Sequence, residues 1–252
     1  MTLKKGRFDK NLVYTNNEGR QVLAHVAYDY EYLVDYHPKR DGNNPLYFTD
    51  EDTQLIISFK GDSPEAIEHF ANLIDQDYNP MWNDCLCIAV PASSSEKNYS
   101  PRQDLNEEKM TPLQILALCE PDNSSIYNLI ERLVDKHKGL HNGSGVLVRT
   151  KTVQSKHLGR DRKNITIDLN SIEINSKCGI DISGKNVLLI DDIITSGYSI
   201  AACEMILKKG GANKVFVLCL GKTAKDSYVS NGSGNNKPVI GKDVPFDEEM
   251  PF

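Results

Sequence analysis

The sequence predicts an α/β protein: a mainly parallel sheet flanked by helices, with an N-terminal extension and a flexible C-terminal tail. Two observations carry that expectation. Val187–Ile190 is short and wholly apolar, Tyr198–Lys209 has helical spacing and stops at Gly210-Gly211, and Lys214–Leu220 is apolar again. Together they make a strand–helix–strand unit, whose two strands run parallel. Cys85–Val90 and Gly145–Arg149 read as further short strands among helical stretches.

Taken in order, residues 1–50 are polar and rich in tyrosine, with turn signals at Asn16-Asn17, His37-Pro38 and Gly42–Pro45 and a strand-like stretch at Gln21–Tyr30. Leu55–Phe59 is an apolar run with the look of a strand. Gly61-Asp62-Ser63-Pro64 then opens a helix: Ser63 suits the cap, Pro64 suits the first turn, and Ile67, Phe70, Ala71 and Ile74 form an apolar stripe. Pro91 and three serines end the strand Cys85–Val90. Residues 96–112 read as loop, and Ile115–Leu118 and Ile126–Val134 as helical, the latter capped by Ser124 or Ser125. Thr150–Asn164 is polar and basic. From about Thr223 the chain is rich in Asn, Gly, Ser and Lys without periodicity, which reads as a flexible linker and tail. The organisation expected is residues 1–54 as an unassigned region and candidate hood, 55–221 as the α/β domain, and 222–252 as the tail.

Composition narrows the function classes. The chain has 252 residues, 39% of them hydrophobic and 25% charged, enough for one large domain or two small ones. No apolar run reaches the roughly 18 residues that span a membrane, and the start MTLKKGRF lacks the apolar core of a secretory signal. A cytoplasmic protein is expected. The net charge of −6 argues against a broad electrostatic grip on nucleic acid. Cys85, Cys87, Cys119, Cys178, Cys203 and Cys219 sit mostly in apolar runs and read as reduced, buried thiols, with no second ligand pair at zinc spacing. The six histidines show neither ligand spacing nor a nucleophile partner.

The informative string is VLLIDDIITSGYSI, residues 187–200. Asp191 and Asp192 stand where a buried strand emerges at its C-terminal end, the place where open α/β sheets bind ligands. Thr195, Ser196, Gly197, Tyr198 and Ser199 then turn into a helix. Gly197 admits close backbone approach, the hydroxyls of Thr195, Ser196 and Ser199 donate, and the first N–H groups of the helix have no partner within it. Such a cradle fits one phosphate. Adjacent carboxylates suit ribose hydroxyls or Mg²⁺, so acids beside a phosphate cradle imply a sugar phosphate. The alternative is that Asp192 caps a turn and Thr195 caps the helix. The Gly-x-x-x-x-Gly-Lys pattern of nucleotide-binding P-loops is absent.

This string resembles the phosphoribosyl-pyrophosphate (PRPP) motif of type I phosphoribosyltransferases: aliphatics, two acids, two aliphatics, then Thr-Ser/Thr-Gly-x-Ser/Thr. The resemblance implies that Asp191 and Asp192 contact the ribose hydroxyls and Mg²⁺ and that Thr195–Ser199 hold the 5′-phosphate. Phe59-Lys60-Gly61, the strand ending at Val90-Pro91, and Arg149, Gln154, Leu158, Arg162 and Asn164 are similar to the ComF branch, linked to DNA uptake, across roughly residues 55–221. The zinc-ribbon cysteines of many ComF proteins are absent. By the family layout, the turn Ala92, Ser93, Ser94 holds pyrophosphate with Lys97 nearby, the alternative being an ordinary strand-to-helix turn. The basic stretch with Lys151, Lys156, Arg160, Arg162 and Lys163 takes the place of the closing loop. Arg160, Arg162 and Lys163 would neutralise the leaving pyrophosphate, and Arg162 joins the two aspartates as the expected catalytic set. The alternative is a solvated basic loop. A homodimer is the expected assembly. The expected reaction is Mg²⁺-dependent transfer of phosphoribose to a base; the alternative is a non-catalytic PRPP- or nucleotide-binding module.

The chain ends Phe246, Asp247, Glu248, Glu249, Met250, Pro251, Phe252 after its polar linker. This resembles the tail of bacterial single-stranded-DNA-binding proteins. The likeness implies docking on DNA-repair partners: the Phe252 ring fills an apolar pocket, its carboxylate meets a basic residue, and Asp247, Glu248 and Glu249 steer onto a basic rim.

Overall fold

A computed structural model of the chain describes residues 2–16, 18–39, 44–93, 125–151, 153, 165–175 and 178–224. The chain opens with a long antiparallel hairpin, β1 (Lys4–Thr15) and β2 (Gln21–Tyr36), in continuous register from Lys4 opposite Tyr32 to Thr15 opposite Gln21. Three helices follow: the single turn α1 (Leu46–Thr49), α2 (Glu51–Lys60) and α3 (Pro64–Gln76). In α3 the Ser63 hydroxyl accepts the Ala66 N–H at 3.3 Å, Pro64 fills the first turn, and Ile67, Phe70, Ala71 and Ile74 are buried.

Leu55–Phe59 is helix, not strand. The Asp50 carboxylate caps α2 by accepting the Thr53 N–H at 2.8 Å, Glu51 and Asp52 occupy the favourable first turn, and Thr53, Ile56 and Phe59 bury one face at three-residue spacing. Residue 54 therefore lies inside a helix.

Beyond β3 (Cys85–Ala89) come α4 (Ser125–Lys136), β4 (Leu140–Asn142), β5 (Leu147–Arg149), α5 (Ile165–Leu169) and β6 (Ile172–Ile174). The Ser125 hydroxyl reaches the Phe59 carbonyl and the Asp62 carboxylate, fastening α4 to the end of α2. Ser124 and the expected helix Ile115–Leu118 lie outside the described residues. The last unit is β7 (Asn186–Ile194), α6 (Tyr198–Lys209) and β8 (Val215–Thr223).

The main sheet has the order β1-β2-β8-β7-β3-β4, and every pairing except β1/β2 is parallel. β5 and β6 form a separate antiparallel pair. The N-terminal hairpin is thus part of the main sheet, with β2 lying directly beside β8. Side chains alternate across the strands. Leu86, Ile88, Val187, Leu189, Val217 and Cys219 bury one face with Phe8, Tyr28 and the α6 residues Ile200, Ala201 and Cys203. Cys85, Cys87, Leu188, Ile190, Leu218 and Leu220 bury the other beneath α2, α3 and α4. No helix among the described residues is long and apolar enough to cross a membrane.

Candidate phosphate site at the end of the parallel sheet

β7 is longer than the sequence predicts. The expected loop Asp191–Gly197 is strand as far as Ile194, because β8 continues alongside it, with Asp191 opposite Cys219, Ile193 opposite Gly221 and Ile194 opposite Lys222. On its other edge β7 loses its neighbour sooner: the last bond to the β3 side is Val90 N–H to the Ile190 carbonyl, at 2.9 Å. Both acids stand just past that point. The Asp191 carboxylate accepts the Asp192 N–H at 2.9 Å, and the Asp192 carboxylate accepts the Ile193 N–H at 2.6 Å.

Strand alternation sends the two carboxylates to opposite faces. Asp192 turns to the α2 side, where Lys60 Nζ, at the end of that helix, lies 2.5 Å from its Oδ2. Burial works against the Lys60 charge, but Asp192 and then Asp191 outweigh it and hold the ammonium above its usual pKa. Asp191 turns to the α6 side. There burial first, and the charge of Asp191 with it, pushes the Cys219 thiol and the Tyr28 hydroxyl well above their ordinary values.

The turn itself is Thr195–Gly197. Gly197 has φ +77°, and a Cβ there would lie 2.7 Å from both the Phe8 ring and the Tyr28 hydroxyl oxygen. The position therefore requires glycine twice over, by conformation and by space. The Tyr28 hydroxyl donates to the Gly197 carbonyl at 2.7 Å, and Phe8 stacks on Tyr28 with ring centroids 4.9 Å apart. No side chain caps α6 at Gly197, so the helix opens on backbone N–H groups alone.

The hydroxyls of the turn are placed individually. Thr195 is exposed and shares a hydrogen bond with the Thr223 hydroxyl at 3.0 Å, at the end of β8. It does not cap the helix. Ser196 is half-buried. The Tyr198 ring is taken into the core, edge-on to Phe8 at 5.9 Å, so this residue offers the turn only its backbone. The Ser199 hydroxyl donates to Asp168 Oδ2 at 3.4 Å.

Asp168, in α5, and Arg149, at the end of β5, form a buried ion pair at 3.1 Å, with side-chain exposures of 1% and 2%. Arg149 donates from Nε to the Ala92 carbonyl, from Nη1 to the Ser171 hydroxyl at 2.6 Å, and from Nη2 to the Pro91 carbonyl at 3.5 Å. The Val153 N–H closes on the Ser93 carbonyl at 2.9 Å. The turn after β3 is thereby held against the same end of the sheet as the turn after β7.

Asp191, Asp192 and Thr195–Ser199 thus come together, with Ala92 and Ser93 at the neighbouring strand end. Ser94, Lys97, Gln154, Lys156, Leu158, Arg160, Arg162, Lys163, Asn164 and Phe246–Phe252 lie outside the described residues. Sequence reasoning missed Phe8, Tyr28 and Asp168. Lys60 and Arg149 entered only through the family likeness. Tyr28, Tyr30 and Tyr32 alternate along β2, and that period of two was the one available signal for a half-buried strand. A groove of about 720 Å³ lined by Lys5, Arg7, Glu31, Asn79 and Glu204 opens beside Val215–Val217, at the opposite end of β8 from the acids.

No family model matches this sequence. It is similar to ribose-phosphate pyrophosphokinases. The protein of Pyrococcus furiosus is 55% identical over 38 residues, 15% of this chain and 14% of that one. The protein of Thermoplasma volcanium is 26% identical over 152 residues, 59% of this chain and 50% of that one. Ribose-phosphate pyrophosphokinase 2 of Archaeoglobus fulgidus is 31% identical over 104 residues, 40% and 38% of the two chains. The chain therefore spans half the length of these relatives or less. A hypoxanthine phosphoribosyltransferase structure from Staphylococcus aureus overlaps with a TM-score of 0.30 at 16% identity, covering 69% of each chain, too loosely to bear on the reading.

Proposed function

We propose that this chain binds PRPP across the ends of β3 and β7 and transfers its phosphoribosyl group to a nitrogen nucleophile. One observation supports the reading above the rest: an uncapped helix opens at Gly197, in the left-handed conformation, one turn beyond two carboxylates at the end of a parallel strand. In this reading the backbone of residues 196–199 and the hydroxyls of Thr195 and Ser196 hold the 5′-phosphate, the Ser199 hydroxyl being engaged by Asp168, while Asp191 and Asp192 hold the ribose hydroxyls and Ala92 and Ser93 hold the pyrophosphate. The nucleophile's lone pair forms the new N–C1 bond as the C1–O bond to pyrophosphate breaks, and the nitrogen's proton leaves to solvent. Ser94, Arg160, Arg162 and Lys163 are assigned to the departing pyrophosphate by the family likeness alone.

The donor set fits Mg²⁺ of the kind that takes a single protein carboxylate, since Asp191 and Asp192 face opposite sides of β7 and Asp192 meets Lys60, and completes its shell with substrate oxygens and water. Asp191 and Asp192 are hard oxygen donors, and no group of three His, Cys, Asp or Glu side chains stands ready as a protein cage among the described residues. Bound there, Mg²⁺ would supply charge stabilisation for the leaving pyrophosphate.

A second reading has a specific support. The curated relatives are named ribose-phosphate pyrophosphokinases, and the same half-site would hold ribose phosphate as the acceptor of a pyrophosphoryl group. A non-catalytic module that recruits DNA-repair or DNA-uptake partners through Asp247–Phe252 is the third. One experiment separates them. The protein is incubated with Mg²⁺ and either PRPP plus a panel of bases or ribose 5-phosphate plus ATP, with release of pyrophosphate or AMP followed. Pyrophosphate release dependent on a base supports the transferase, and AMP release supports the pyrophosphokinase. PRPP binding without turnover leaves the module, for which deletion of Met250–Phe252 should abolish partner capture. In every case Ala at both Asp191 and Asp192 should abolish PRPP binding; undiminished affinity in that double variant would refute the site.

A further inference from the structure

We infer that the buried Arg149–Asp168 pair is a positioning device that fixes the spacing between the turn after β3 and the turn after β7, and so selects ligands that reach both. The inference rests on the PRPP reading above. Arg149 presents its planar fork to four groups at once: the carbonyls of Pro91 and Ala92, the Ser171 hydroxyl and Asp168. A guanidinium holds such directions rigidly, whereas an ammonium is a point charge. Asp168 divides its carboxylate between the two turns, with Oδ1 on Arg149 and Oδ2 taking the Ser199 hydroxyl. A continuous chain of polar contacts therefore runs from the Ala92 carbonyl to the first turn of α6.

Stability is a poor reason for such a pair. Taking both charges out of water roughly cancels their attraction, and well-packed apolar side chains would serve a core as well. What apolar side chains cannot do is hold two backbone carbonyls and a hydroxyl at set distances. PRPP carries a phosphate at one end and a pyrophosphate at the other. Ribose 5-phosphate carries only the first.

The test compares these two ligands by calorimetry with Mg²⁺ on the full chain and on Asp168→Asn and Arg149→Lys, with thermal melting to establish the folded fraction. In both variants PRPP affinity should fall by about tenfold or more, while ribose 5-phosphate affinity stays within about twofold, a difference of roughly 1 kcal/mol. Ser171→Ala removes one bond from Arg149 and keeps the ion pair; it should show the same selectivity at about threefold and serves if the stronger variants do not fold. Equal losses for both ligands would make the pair merely structural, and unchanged PRPP affinity in folded variants would overturn the inference outright. If the unaltered protein binds neither ligand, the PRPP reading fails and takes the inference with it. Binding of both by the unaltered protein with unselective variants sinks the inference alone.

Discussion

The turns after β7 and after β3 stand side by side and are held in different ways. The first rests on backbone conformation and packing: a left-handed Gly197, the Phe8–Tyr28 stack beneath it, and the Tyr28 hydroxyl on its carbonyl. The second hangs by two of its carbonyls, Pro91 and Ala92, from one charged side chain, Arg149, which is itself buried against Asp168. Distributed support of the first kind loses a little with each contact removed. Concentrated support of the second kind fails at a single point, because a charge left without its partner in the interior is costly.

The largest effect should therefore come from Asp168→Ala. It strands the Arg149 guanidinium and should cost about 3–5 kcal/mol, roughly 10 °C or more in melting temperature for a domain of this size. Adding Arg149→Met should recover most of that loss; a double variant as unstable as the single one would break the contrast. Next comes Gly197→Ala. A side chain at positive φ costs about 1–3 kcal/mol, and its Cβ must displace Phe8 or Tyr28, so melting temperature and ribose 5-phosphate affinity should fall together. Tyr28→Phe keeps the ring and removes the donor to Gly197, which should cost about 1 kcal/mol with a modest loss of phosphate affinity. A loss as large as that of Asp168→Ala would show that the first turn also depends on one contact.

The smallest effect concerns Lys60. Its pKa in the fold lies above its ordinary value, so its contribution to stability is complete below the unfolded value of about 10.4 and fades as the pH rises through the higher, folded one. Melting from pH 8 to pH 11 should show the unaltered protein losing more stability than Lys60→Met above pH 10. Parallel curves would mean that the ammonium, 40% exposed, is screened by water.

The same contrast separates what was legible in the sequence from what was not. α6 begins and ends at its glycines, and α3 begins at its serine cap and proline, because those signals act within a few residues of the chain. The acid pair and Gly197 stood out for the same reason. Leu55–Phe59 misled because its apolar residues are contiguous in sequence, and only the cap at Asp50 and the three-residue spacing of Thr53, Ile56 and Phe59 reveal a helix. Tyr28 and Asp168 carried no local mark of their roles. Tyr28 meets Gly197 only because β2 lies beside β8, and Asp168 meets Arg149 only because a short helix follows β5. Local chemistry predicts local structure; contacts between distant segments appear only once the chain is folded.

The seat of β2 in the sheet has a consequence for how the protein is made. Tyr30 pairs with Val217, so the β1–β2 hairpin docks on β8, the last described strand and far along the sequence from it. During translation the outer edge of β2 and the buried face of the Phe8–Tyr28 stack stay uncovered until α6 and β8 have left the ribosome, and contacts of such long sequence separation form slowly. The support for Gly197 is thus among the last things the nascent chain acquires. Stalled chains ending before Val215 should leave the hairpin open to protease, and release of the full length should close it.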